Sequence, residues 1–169
     1  GMPDATFGLN LTANYKGFDL SMFMQSCVGN EIANALVMDI YSSEFGQWNM
    51  SKKMMNRWHG EGTTNVYPRL IASDPNENAR FSDRYVENGS YLRMKNLQLG
   101  YTLPATFTKK FNVNKLRIYG SIDNVFVLTK YSGFDPEMGD LLGNPLSIGV
   151  DLASYPRPRT FVLGFNISL

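Results

Sequence analysis

Few residues in this chain are suited to chemistry. Asp74, Asn76 and Asn78 have the alternate spacing with which a calcium loop begins. Such a loop continues with a tight-turn glycine and a bidentate carboxylate, and Ala79 and Tyr85 stand at those places. Ser73-Asp74-Pro75-Asn76 therefore reads as a turn, and no metal site is expected. His59 is the only histidine, and no G-x-S-x-G elbow offers it a nucleophile. Asp135 and Glu137 read as a loop turn around Pro136 rather than as an acid–base pair. The lone Cys27 reads as a small buried hydrophobe. With no phosphate-binding glycine loop either, the chain is expected to be no enzyme and to carry no cofactor.

A binding role has better material. Trp48, Trp58 and Tyr67 lie near Asn49, Asn56, Arg57 and Asn65. Aromatic faces stack on the C–H faces of a sugar while amides meet its hydroxyls, which makes the three aromatics candidate substrate contacts. The competing reading is that they pack their own loop.

The elements around these residues are strands. In TFGLNLTANY, residues Phe7, Leu9, Leu11, Ala13 and Tyr15 alternate with polar or small neighbours. Lys16-Gly17 is a hairpin loop, and Phe18, Leu20, Met22 and Met24 form the returning apolar face. YLRMKNLQLGYTLP sets Leu97, Leu99, Tyr101 and Leu103 against Asn96, Gln98, Gly100 and Thr102, and Pro104 ends the pattern. LRIYGSID alternates likewise up to Val125-Phe126-Val127-Leu128, where alternation fails. The last strand, RTFVLGFNISL, places Phe161, Leu163, Phe165 and Ile167 on one face.

The connections alternate between short and long. Lys16-Gly17 and 105–115 are short; 27–90 and 129–158 are long. In an antiparallel meander this puts tight turns at one end and large loops at the other, as in outer-membrane barrels. Asn30–Tyr41 and Met50–Trp58 are expected as short helices within the first long loop. With 169 residues at formal charge +1, nothing directs the chain to nucleic acid. Charged residues are only 18% and aromatics 13%, as suits a protein with little water-facing surface. No apolar run is long enough for a membrane helix, a test to which membrane strands are blind. Strands of bilayer-crossing length, polar opposite faces, and aromatics at the strand ends (Tyr15, Phe18, Tyr101 and Phe107) favour lipid as the cover of the apolar face. A soluble β-sandwich or carbohydrate-binding module is the alternative.

GSYLRMKNLQLGYTLP (Gly89–Pro104) and LRIYGSIDNVFVLTKYSGFDPE (Leu116–Glu137) resemble signatures of the SusC/RagA family of TonB-dependent outer-membrane transporters. Asn124, Phe126, Thr129, Lys130, Tyr131, Gly133, Asp135 and Pro136 carry the second match. YPRPRTFVLGFNISL (Tyr155–Leu169) is similar to the last strand of that family and its approach, with Leu169 where an aromatic often stands. The resemblance implies an all-β C-terminal fragment of a large transmembrane barrel, residues 1–169, with 27–90 and 129–158 as extracellular loops. It implies import of glycans, or in some members peptides, across the outer membrane of a Gram-negative, Bacteroidetes-like cell. A SusD-like surface lipoprotein is the implied partner, and TonB would act through an N-terminal region outside these residues. Strand parity gives the same expectation of a fragment, since five strands place the two chain ends on opposite sides of a membrane.

Overall fold

The computed structural model describes residues 1–42, 49–137, 140–141 and 144–168. In chain order these form β1 (Ala5–Tyr15), β2 (Phe18–Val28), β3 (Glu31–Asn34), α1 (Ala35–Ile40), β4 (Val86–Asn88), β5 (Tyr91–Thr102), α2 (Ala105–Thr108), β6 (Lys115–Thr129), β7 (Asp140–Leu141), β8 (Asn144–Ile148), β9 (Val150–Asp151) and β10 (Thr160–Ser168). They divide into two compact units. One holds the long strands (3–30, 89–130 and 156–169), and the other gathers 1–2, 31–88 and 131–155.

In the first unit β1, β2, β5, β6 and β10 form a five-stranded antiparallel sheet in that order. This is the meander that alternation predicts, with each expected strand found. The first hairpin is tight because Lys16 and Gly17 both take positive φ, 46° and 89°, the pair a two-residue I′ turn needs. Thr102 N–H then donates to Gly17 O at 2.8 Å, setting this turn beside the end of β5.

Register carries the apolar pattern across all five strands. Phe165, Ile118, Tyr101, Phe18 and Tyr15 form one row; Phe161, Ile122, Leu97, Met22 and Leu11 form another. The opposite face carries rows such as Gly164, Tyr119, Gly100, Asp19 and Asn14. Among the described residues of this unit the sheet is a single layer, with no second sheet of its own to cover the apolar rows.

A bulge lies where alternation fails in β6. Met94 pairs with Phe126 and Asn96 with Asp123, so Lys95 faces two residues, Asn124 and Val125. Asn124 takes φ 53°, the left-handed conformation asparagine tolerates better than most residues. Phe126 and Leu128 keep the even-numbered spacing of Ile118 and Ile122 and pair with Met94 and Leu92; it is β5 that changes phase at Lys95, since Met22 pairs with Leu97 and Met24 with Met94. Asn124 also fixes the approach to β10: its side chain donates to Pro158 O at 2.9 Å, and its carbonyl accepts from Arg159 Nε at 3.4 Å.

The second unit contains what the sequence pattern missed. β3 pairs antiparallel with β4 and parallel with β9, so the two long connections form one sheet. The helix expected over Asn30–Tyr41 is therefore corrected to strand then helix. Backbone partners on both sides of Glu31–Asn34 hold it extended, and α1 starts only where Asn34 Oδ1 caps Val37 N–H at 3.1 Å. The helix expected over Met50–Trp58 shrinks to a 3₁₀ turn, Lys52–Asn56, because Arg57 turns extended to pair with Tyr67.

Candidate functional site

The most extensive feature is the pair of sheet faces. Phe161, Leu163, Phe165 and Ile167 share one face and are 71%, 90%, 69% and 53% exposed. β10 is an edge strand, but central strands behave alike, with Leu99 53% and Ile118 51% exposed. Large apolar side chains left open in adjacent rows require a cover, since a soluble monomer rarely shows so continuous a patch.

The other face is polar and locally ordered. Arg117 donates from Nε to Asp19 Oδ1 at 2.9 Å and from Nη2 to Oδ2, spanning β5 at Gly100. A Cβ at Gly100 would lie 2.5 Å from Arg117 Nη2, so glycine is what allows this bridge to cross. The Arg117 guanidinium also sits 4.8 Å from the Tyr119 ring centre, and that ring packs against Gly164. Near the bulge, Asn96 Nδ2 donates to Asp123 Oδ1 at 2.7 Å. Arg93 is buried there, with its guanidinium 5.9 Å from the Tyr91 ring and reaching Asn124 Oδ1 at 3.5 Å.

Of the three candidate substrate aromatics, Trp48 lies outside the described residues. Trp58 and Tyr67 are brought together, with Trp58 N–H donating to Tyr67 O at 2.9 Å. Tyr67 is largely engaged: Tyr41 meets its ring edge-on at 5.3 Å, and Arg84 lies 5.2 Å from its centre. Trp58 is half-buried. Nearby, Tyr41, Leu70, Asp74, Asn78 and Tyr85 line a cleft of about 10 Å³, room for one water rather than a sugar. Burial pushes the Tyr85 hydroxyl above its ordinary pKa.

Asp74 serves a turn. Its Oδ2 accepts from Ala79 N–H at 2.7 Å and its Oδ1 from Asn78 Nδ2 at 3.0 Å. Burial alone would raise its pKa, but the bonds from Ala79 and Asn78 outweigh it and hold the carboxyl below its ordinary range. His59 is exposed, with Nδ1 3.0 Å from Arg57 O. Asp135 Oδ1 accepts from Glu137 N–H at 2.9 Å, the turn that the sequence suggested.

Sequence reasoning missed a polar network. Glu87 accepts from Asn34 Nδ2 at 2.9 Å, from Ser132 N–H at 2.8 Å and from Ser132 Oγ at 2.7 Å. Tyr131 donates to Asp151 Oδ2 at 2.5 Å, and Asp151 Oδ1 accepts from Ser154 N–H at 2.9 Å. Asn34 and Asp151 are fully buried. Burial first, and the Asp151 bond second, push the Tyr131 pKa far above its ordinary value. Only Tyr131 had a signal in sequence, through the family resemblance; Asn34, Glu87, Ser132 and Asp151 sit in no spaced motif.

A one-layer antiparallel sheet, apolar on one face and polar on the other, with turns at one end and long connections at the other, defines a section of barrel wall. No family model matches the chain. It is 38% identical over 169 residues to the TonB-dependent receptor P3 of Formosa agariphila, covering 98% of this chain and 16% of that receptor. Against the TonB-dependent receptor SusC of Bacteroides thetaiotaomicron it is 26% identical, covering 97% of this chain and 15% of SusC. Its fold matches the RagAB peptide importer in the open-open and closed-closed states alike, each with TM-score 0.79 and 31% identity. Those matches cover 99% and 98% of this chain and 17% of the other. Over nearly all its length the chain is therefore homologous, in sequence and in fold, to TonB-dependent receptors of the SusC/RagA kind. It spans about a sixth of the length of the relatives it matches.

Proposed function

We propose that this chain is a piece of the barrel wall of an outer-membrane importer that takes up oligosaccharides or peptides with energy relayed by TonB. The observation that carries this reading is the set of aligned, exposed apolar rows on one face of a single-layer sheet. Lipid covers Phe161, Leu163, Phe165 and Ile167; the polar face with Asp19, Arg117 and Tyr119 lines the interior. The tight turns lie at the periplasmic end, and the long connections, 27–90 and 129–158, are extracellular. Trp58 and Tyr67, with Trp48, are assigned to substrate contact, and a SusD-like lipoprotein is the partner at that side. The TonB-contacting region lies outside these residues. No catalytic step is assigned to them. RagAB, a peptide importer, supports import as the activity.

The test is a cysteine scan along Phe161 to Ile167 in the full-length receptor, after Cys27→Ser removes the native thiol. A fluorophore at each position should be quenched by lipid-borne quenchers strongly at 161, 163, 165 and 167 and weakly at 162, 164 and 166. A uniform response, or none at the odd positions, overturns the reading.

A further inference from the structure

The two ends of the sheet differ in charge. Neither tight turn, Tyr15–Phe18 nor Leu103–Asn114, contains an acidic residue, yet together they carry Lys16, Lys109 and Lys110, all exposed. The long connections 27–90 and 129–158 are instead mixed and net acidic, with twelve Asp and Glu against eight Lys and Arg. The lysines stand among exposed aromatics. Phe107 and Phe111 are 5.7 Å apart centre to centre, and Phe18 and Tyr101 are 4.5 Å apart on the apolar face. The Lys16 ammonium lies 5.2 Å from the Tyr15 ring, a member of the same apolar row, so this charge sits on the outward side of the sheet. Backbone bonds from Thr102 N–H to Gly17 O and from Leu103 N–H to Leu116 O hold the two turns as neighbours at one level.

We propose that Lys16, Lys109 and Lys110 with Tyr15, Phe107 and Phe111 form a collar that binds the head groups of anionic phospholipids in the leaflet at the tight-turn end. Amphipathic rings settle at the boundary between acyl chains and head groups, where lysine stems extend along apolar surface and place their ammonium groups among phosphates. Several cations at one depth, with no carboxylate in either turn to neutralise them, favour anionic over zwitterionic lipid. Each contributes about a fivefold preference near an anionic surface, screened by salt. The collar rests on the lipid-facing reading of the sheet.

The test uses the full-length receptor in bilayers of phosphatidylcholine containing spin-labelled phosphatidylglycerol or spin-labelled phosphatidylcholine. The fraction of each label immobilised at the protein surface gives relative association. The native receptor should prefer phosphatidylglycerol, and the preference should fall on raising salt. Lys16→Gln, Lys109→Gln and Lys110→Gln together should abolish most of it; the corresponding arginine triple should retain it; Lys52→Gln with Lys53→Gln in the first long connection should leave it unchanged. Immobilisation of both lipids without a preference, or a preference that survives the glutamine triple, sinks the collar and leaves the lipid-facing sheet intact. Immobilisation of neither lipid sinks both.

Discussion

The two units of this chain invert each other. The long strands carry the most regular apolar pattern, yet their apolar rows are open, and, glycines aside, the unit's buried residues among those described, Cys27, Tyr91, Arg93 and Thr108, lie towards the ends of strands or in a turn. The loop-derived unit has no regular pattern, yet it owns a closed interior containing Ile32, Met54, Tyr85 and Tyr131 together with Asn34, Asp135 and Asp151. Under the proposed function, hydrophobic periodicity marks a surface made for a solvent other than water, while the loop-derived unit is held by polar contacts among scattered residues.

The hardest blow to this contrast is a charge on the open rows. Leu163→Arg or Phe165→Arg, near mid-strand, should cost about 2–4 kcal/mol in the assembled barrel, whereas Val162→Lys on the polar face should cost far less. Equal costs, measured by urea unfolding of the receptor in bilayers, would erase the distinction between faces.

The loop unit should answer to its polar network instead. Tyr131→Phe removes a hydrogen bond to a buried carboxylate and should loosen the unit by about 1.5–3 kcal/mol, read as faster protease cleavage within 31–88. The same bond gives an alkaline signature. An unfolded tyrosine ionises near pH 10, and the folded Tyr131 is held above that. Its contribution is full below pH 10 and falls as pH rises beyond it, by about 1.4 kcal/mol per unit. Tyr131→Phe should lose that added alkaline sensitivity; a variant as alkali-sensitive as the native protein would remove the bond from the account.

The smallest expected effect probes the polar face. Gly164→Ala places a Cβ 2.5 Å from the Tyr119 ring, so that ring must lift, at about 1–2 kcal/mol. In a Tyr119→Ser background the same change should be nearly neutral. A cost that persists there would mean that backbone freedom, rather than the ring, requires glycine.

How much was legible follows from the physics of each unit. The five strands, nine to fifteen residues long, were readable because each repeats a period of two over much of its length. The rule broke at Val125 and Val127 because apolar residues take the odd positions there, next to a bulge that no count of apolar residues detects. β3 and β9, at four and two residues, are too short to show a period, and their pairing is parallel and distant. Ile32, Leu36, Met38 and Ile40 mimicked a helical stripe although Ile32 lies in a strand. Asp135 and His59 were read as loop residues from what they lacked, and the structure gives them turn and backbone partners. Trp58 and Tyr67 were found by type, but the engagement of Tyr67 by Tyr41 and Arg84 depends on contacts that sequence spacing cannot supply.

The parallel pairing of Ala33 with Val150 sets an order of events when the protein folds. Closing a loop of more than a hundred residues before anything else forms is entropically unfavourable, and contacts so remote in sequence slow folding. The hairpins of the sheet need no such search: Tyr15 meets Phe18 across two residues, and β5 meets β6 across one short turn. Once β2, β5 and β6 are zipped, Val28, Tyr91 and Thr129 stand at one end of the sheet, and the distance that β3 and β9 must search collapses. The strands act as a template in time as well as in space, and the loop unit is the last part to set.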